Sequence, residues 1–270
     1  MLVDTHCHLN FKAFEGDREL VLDRAREAGV VRILNPGVDR DSSHEAVMLA
    51  ESFDEVYAAV GVHPNESLSW DRDTRKSLSD MAAETKVVAI GEIGLDYYRD
   101  RAPKELQKQV FRDQLELASE LALPVVIHSR NASPDDLRAV DDIVSILTEW
   151  VYELNSNDSE LIAKPGVLHS FSSDSLTAER VGNFNFYLGI TGPVTFRNAD
   201  ILREVVASTP LERQLIETDA PFLTPHPHRG KRNEPAYVKY VAEKTAQLHN
   251  KPYDIVVETT SKNAERLFNW

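Results

Sequence analysis

The chain of 270 residues carries a single cysteine, Cys7, so no disulfide within it can hold the fold. A lone thiol fits a reducing, cytoplasmic setting. No apolar stretch reaches the roughly 18 residues of a membrane span, so no membrane partner is expected. The N-terminus enters an apolar run directly, without a basic leader or a cleavage-like site, which argues against secretion or import. Cations are also scarce. Lys and Arg number 30 against 44 Asp and Glu, a formal net charge of -14. Such a surface repels polyanions and argues against tight, sequence-independent duplex binding, which needs arrays of Lys and Arg. It leaves room for an enzyme that handles a strand end, because bound cations are often the largest local charges in a site.

Hydrophobic residues make up 42% of the chain and are evenly spread, enough for a sizeable core. Short apolar runs recur near 2–3, 30–34, 56–60, 87–90, 124–127, 167–168, 186–190 and 214–216. Between them lie helix-period segments at 17–28, 42–52, 74–85, 103–121, 135–154, 199–207 and 234–248, with a closing helix at 253–268. Buried strands alternating with amphipathic helices predict a parallel sheet with helices outside it. Eight such runs in about 250 residues predict one (β/α)8 TIM barrel spanning 1–270 as a single domain, with its active site at the C-terminal ends of the strands. Pro103 opens its helix at a position proline tolerates, and Gly29 follows the first helix as a stop. The 133–164 stretch stands out as a longer helix and loop. A monomer is the simplest expectation.

Five segments place a metal-ligand residue at or just beyond an apolar run: Asp4-Thr5-His6-Cys7-His8, Gly91-Glu92-Ile93-Gly94, Ile127-His128, Leu168-His169 and Glu217-Thr218-Asp219. Imidazole and carboxylate hold a hydrolytic divalent metal while leaving positions for water and substrate. His6 and His8 are two apart on a strand and face the same way, whereas Cys7 points away into the barrel wall. Glu92 closes an apolar run, where a charge needs a partner or a metal. Gly91 and Gly94 beside it imply close backbone approach. Asp219 follows the last strand and suits both ligation and proton transfer, and Glu217 shares its face deeper in the barrel as support for a ligand.

The ordered set Val3-Asp4-Thr5-His6-Cys7-His8-Leu9-Asn10, Gly61-Val62-His63-Pro64, Gly91-Glu92-Ile93-Gly94-Leu95-Asp96-Tyr97-Tyr98, His128-Ser129-Arg130, His169-Ser170-Phe171-Ser172, Glu217-Thr218-Asp219-Ala220-Pro221 and Arg229-Gly230-Lys231-Arg232-Asn233-Glu234-Pro235 resembles the TatD family of metal-dependent deoxyribonucleases, within the amidohydrolase-like barrels. The resemblance covers nearly the whole chain. It implies two divalent ions, one held by His6, His8 and Asp219, the other by His128 and His169, with Glu92 bridging. It also implies 3′-to-5′ exonuclease action on single-stranded DNA or RNA, with Mg²⁺ in assay and Zn²⁺ or Mn²⁺ as softer candidates for the imidazoles, and a link to DNA repair.

In such a site a metal-activated water would attack phosphorus, Asp219 would act as general base, and His63 at the end of the third strand would contact phosphate or leaving group. Arg130, Arg229, Lys231 and Arg232 are candidates for phosphate contacts, since guanidinium forks match phosphate oxygens. Tyr97 and Tyr98 are candidates for stacking an unpaired base, and Asp96 for orienting a ligand or an arginine. The departure from the family is the longer 133–164 stretch, expected to reshape the substrate groove. Two other readings compete. One is an amidohydrolase acting on a cyclic amide or lactone, disfavoured by Glu92 standing where a bridging modified lysine often serves in those enzymes. The other is a non-catalytic metal-binding scaffold, disfavoured by the completeness of the ligand set.

Overall fold

The computed structural model describes residues 1–99, 101–133 and 135–270. Among them, eight strands alternate with nine α-helices. The strands are β1 (Leu2–Asp4), β2 (Val30–Pro36), β3 (Val56–Val60), β4 (Val87–Asp96), β5 (Val125–Arg130), β6 (Gly166–Leu168), β7 (Tyr187–Ile190) and β8 (Gln214–Ile216). The helices are α1 (Arg18–Glu27), α2 (Arg40–Ser52), α3 (Arg72–Met81), α4 (Lys104–Leu121), α5 (Arg138–Ser156), α6 (Ser175–Gly182), α7 (Asp200–Ser208), α8 (Val238–His249) and α9 (Tyr253–Phe268). The strands form one parallel sheet in chain order, β1 through β8. Sequential parallel neighbours require crossovers of one hand, with helices outside, and the sheet curls into a (β/α)8 barrel.

The seam between β8 and β1 is joined at and just past the strand ends. Thr5 N donates to Ile216 O at 3.3 Å, Asp219 N to His6 O at 2.8 Å and His8 N to Ala220 O at 2.8 Å. Asp4 adds a clasp, its carboxylate accepting from the Thr218 amide at 2.8 Å and from the Thr218 hydroxyl at 2.6 Å. These bonds lock the first and last ligand segments side by side.

Inside the barrel, Val3, Leu34, Ala59, Val126, Val167 and Leu215 pack together, and Ala264, Leu267 and Phe268 of α9 seal them from below with Trp270. Ser261 of α9 donates to the Met1 carbonyl at 2.8 Å, which fixes α9 under the N-terminal end of β1. The outer apolar layer, with Ile33, Ile93 and Leu95 against Leu22, Leu117 and Ile143, joins strands to helices. Helix starts follow local chemistry: the Asp39, Asp71 and Asp174 carboxylates accept from the amides of Ser42, Thr74 and Thr177 at 2.7, 2.7 and 2.8 Å. Each satisfies an amide that the helix leaves unpaired.

Two features differ from the sequence reading. Helix α6 was not expected, and β4 runs to Asp96 rather than ending near residue 90. The 133–164 stretch consists mainly of α5, which buries Ile143, Leu147, Trp150 and Leu154, and a short 3-10 turn at Glu160–Ala163. Residue 134 of that stretch lies outside the described residues. The polar tail after α5 leads into the N-terminal end of β6, the face of a barrel that serves stability. Within this stretch, residues 133 and 135–137, ahead of α5, lie on the active-site side. No helix among the described residues is long and apolar enough to cross a membrane.

Candidate metal centre

The candidate ligands leave their strands on one rim and meet. His6 Nε2 and His8 Nε2 face each other at 3.2 Å. Both approach Glu92 Oε2, at 3.4 and 3.5 Å, and Asp219 Oδ1, at 3.9 and 3.6 Å. The second oxygen of Glu92 turns the other way, and His128 Nδ1 meets it at 2.7 Å. One buried carboxylate thus addresses two groups of imidazoles. His63 Nε2 stands 3.9 Å from the same Glu92 Oε1, and its ring lies 4.3 Å from that of His128. His169 stacks on His6 with ring centroids 3.4 Å apart. Its Nδ1 lies 2.7 Å from Glu217 Oε1 and its Nε2 3.6 Å from Asp219 Oδ1. The distances therefore associate His169 with His6, Glu217 and Asp219, and His63 with His128 and Glu92.

Backbone geometry holds these groups. Gly94 has φ +133°, and a Cβ there would stand 2.1 Å from the His128 carbonyl oxygen, so only glycine lets β4 pass this close to β5. Gly189 leaves room for the Glu217 carboxylate, which a Cβ would meet at 2.4 Å. Glu217 also accepts from the Ser170 amide at 2.6 Å and from the Thr5 hydroxyl at 3.2 Å. A carboxylate beside the far nitrogen of an imidazole raises the ring's basicity.

The donor set fits divalent cations. His8 Nδ1 lies 3.3 Å from the Pro36 carbonyl, which takes the ring proton and leaves Nε2 with a bare lone pair toward His6. Among the described residues, His6 Nδ1, His128 Nε2 and His169 Nδ1 are buried without a hydrogen bond, the last with the Glu217 carboxylate beside it. Burial, and then the neighbouring His6, push His8 down to about 3, so it is neutral and ready to ligate. Burial works against charge on His128 too, but Asp96 and Glu92 overcome it and lift the ring to about 9. His169 goes the same way to about 10, burial being outweighed by Glu217 and then Asp219. Glu92 is held well below the usual carboxylate range, His6 and His128 prevailing over its burial. Asp219 is raised, chiefly by burial. The carboxylates demand positive charge here: protons on two histidines meet the demand in the chain alone, and metal ions would meet it more strongly.

The centre opens into a cleft of about 660 Å³, whose walls include Phe11, Arg99, Arg101, Arg130, Phe222 and Leu223. A model of TatD-related DNases matches residues 3–269. The chain belongs to the TatD family. It is 44% identical to the metal-dependent hydrolase YabD of Bacillus subtilis strain 168, over 99% of both chains. It is 34% identical to the 3′-5′ ssDNA/RNA exonuclease TatD of Pectobacterium parmentieri strain WPP163, again over 99% of each. The crystal structure of YjjV, a TatD homolog from Escherichia coli K12, superposes with a TM-score of 0.87 at 33% identity, covering 100% of this chain and 98% of that one. A TatD-type metal-dependent hydrolase acting on ester bonds is what the family makes of this centre.

Away from the TatD ligand set, the expected substrate contacts fare differently. Arg130 lines the cleft, with its guanidinium 4.1 Å over the Tyr98 ring. Tyr97 does not line it: the ring is buried and its hydroxyl donates to Asp142 at 2.6 Å, tying β4 to α5. Ile93, Leu95 and Tyr97 alternate outward along β4, while Glu92 and Asp96 face the centre. Arg232 is also elsewhere, forked onto Asp17 with both bonds at 2.7 Å and bonded to Glu234 at 3.0 Å. Arg229 and Lys231 are exposed and outside the cleft lining. Arg99, Arg101, Phe11 and Phe222 escaped the sequence reading, because residues on loops carry no periodic signal of which way they face. The Asp96 carboxylate lies 3.4 Å from His128 Nε2 and accepts from the amides of Tyr98 and Arg99 at 3.0 and 2.9 Å.

Proposed function

We propose that this enzyme shortens single-stranded DNA or RNA from the 3′ end with two divalent cations, which His6, His8, Asp219, His128 and His169 would hold, with the Glu92 carboxylate shared between them. The observation that carries the reading is the buried Glu92 carboxylate turning one oxygen to His6 and His8 and the other to His128, on the floor of a cleft whose Arg99 and Arg130 have no ion-pair partner among the described residues. Bound ions would supply Lewis acidity, activating water and neutralising phosphodiester charge. Mg²⁺ suits the phosphate chemistry, and Mn²⁺ or Zn²⁺ suits the imidazoles.

The chain's own groups divide the remaining work. Asp219, with its side chain 15% exposed toward the cleft and its affinity for protons raised, accepts the proton of the attacking water. His63 Nδ1 accepts from the Asn65 amide at 3.0 Å, which places its ring proton on Nε2. Burial and then His128 push this ring down to about 3, so it stays neutral and donates from Nε2 to a phosphate oxygen or to the leaving group. Arg99 and Arg130 take the outer phosphate oxygens. Phe222 and Tyr98, 51% and 58% exposed, offer ring faces to unpaired bases. The cleft's few cations suit one strand better than a duplex, which needs cations arrayed along both backbones.

Strands labelled at the 5′ or the 3′ end, incubated with the protein and Mg²⁺ or Mn²⁺, test this reading. A ladder that keeps the 5′ label and vanishes with chelator is expected. Turnover of a dihydropyrimidine or lactone with oligonucleotides left intact would overturn it.

A further inference from the structure

Arg229 lies outside the cleft, yet it is not idle surface. Its guanidinium lies 3.7 Å over the Phe196 ring, and among the described residues neither it nor its exposed neighbours Arg197 and Lys231 forms an ion pair. In a chain of net charge -14, this places one guanidinium on an aromatic face, with two further exposed cations one and two residues along the chain from the pair.

The platform is built on braced backbone. Arg203 donates to the Phe196 carbonyl and to Asp200, fixing the segment after β7. His226 N donates to the Thr195 hydroxyl at 2.9 Å, which ties the loop after β8 to that segment. The Thr224 hydroxyl donates to the Lys231 carbonyl at 2.6 Å and closes the loop on itself. None of these bonds uses the Arg229 or Lys231 side chain. The platform also adjoins the cleft: Pro193, three residues before Phe196, lines it together with Phe222 and Leu223 of the loop that carries Arg229.

We propose that Phe196 and Arg229 form a second subsite, outside the cleft, that holds a nucleotide of the trailing single strand several positions from the end being cleaved. The inference rests on the single-strand reading above. A guanidinium backed by an aromatic ring presents its outer face for a base to stack on, and its edge to a phosphate. Arg197 and Lys231 neutralise the neighbouring phosphates. The subsite reads no sequence, because every base has a stacking face. It sets a preference for length.

The test compares Phe196→Ala and Arg229→Glu with the unaltered enzyme on a thymidine strand of about twenty nucleotides and on a dinucleotide, loss of one stacked base and one phosphate contact being about tenfold. The ratio of kcat/KM for the long strand over the short one should fall about tenfold in either variant, through KM. A ratio equal to that of the unaltered enzyme overturns the subsite while leaving the exonuclease reading intact. If the unaltered enzyme cleaves neither strand, the exonuclease reading fails, and fluorescence anisotropy of the labelled long strand in chelator decides the subsite. Weaker binding by Arg229→Glu supports it; equal binding by both proteins, or none by the unaltered one, overturns it.

Discussion

Glu217 Oε1 stands 2.7 Å from His169 Nδ1, at the bottom of the centre and out of reach of solvent. It touches no substrate, yet its charge raises the basicity of a proposed ligand. Glu217→Gln should therefore weaken metal binding about 10- to 100-fold while leaving the fold in place. Isothermal titration with Mn²⁺, alongside circular dichroism, checks this. Unchanged affinity would mean that the carboxylate serves the barrel alone.

Acidity gives an independent handle. His128 at about 9 and His169 at about 10 lie above the ordinary imidazole value, and burial lifts Asp4 to about 8. A raised value in the fold gives stability that is complete below the unfolded value and fades as pH climbs through the folded one. Chelated protein should thus lose thermal stability as pH rises, first from about pH 4 to 8 through Asp4 and then from about pH 7 to 10 through His128 and His169, all three acting in the same direction. Metal affinity should rise over that window as protons stop competing. Calorimetric scans with and without metal check both signs, and a flat profile in chelator would contradict them.

Arg232 was read from sequence as a phosphate contact. Its forked bond to Asp17 and its contact with Glu234 instead join the segment before α1 to the loop before α8. Arg232→Ala should lower stability by about 1 kcal/mol, the pair being partly exposed, which shifts Tm by a few degrees. KM for a single strand should stay within about twofold. A large rise in KM with unchanged Tm would restore the sequence reading.

The barrel and the candidate ligands that meet on its rim were legible in the sequence for one physical reason. A parallel strand buried on both faces is a short apolar run, and a charged or imidazole residue at its end stands out against it. β4 was cut short because Gly91, Glu92 and Gly94 interrupt its apolar run. Had it been followed to Asp96, strand alternation would have turned Tyr97 outward, where the structure places it. Helix α6 spans only eight residues, with Ala178 and Val181 as its buried apolar positions, too few to show a period. Arg99 and Arg101 sit in the loop after β4, and only the fold brings them to the cleft wall.

The central claim is that ligands far apart in the chain meet to hold a pair of cations. Anomalous diffraction at the manganese edge, from crystals soaked in Mn²⁺, tests it most directly. The expected result is two peaks flanking Glu92, one beside His6, His8 and Asp219 and the other beside His128. No peak at Glu92, or manganese bound only elsewhere on the molecule, would contradict it.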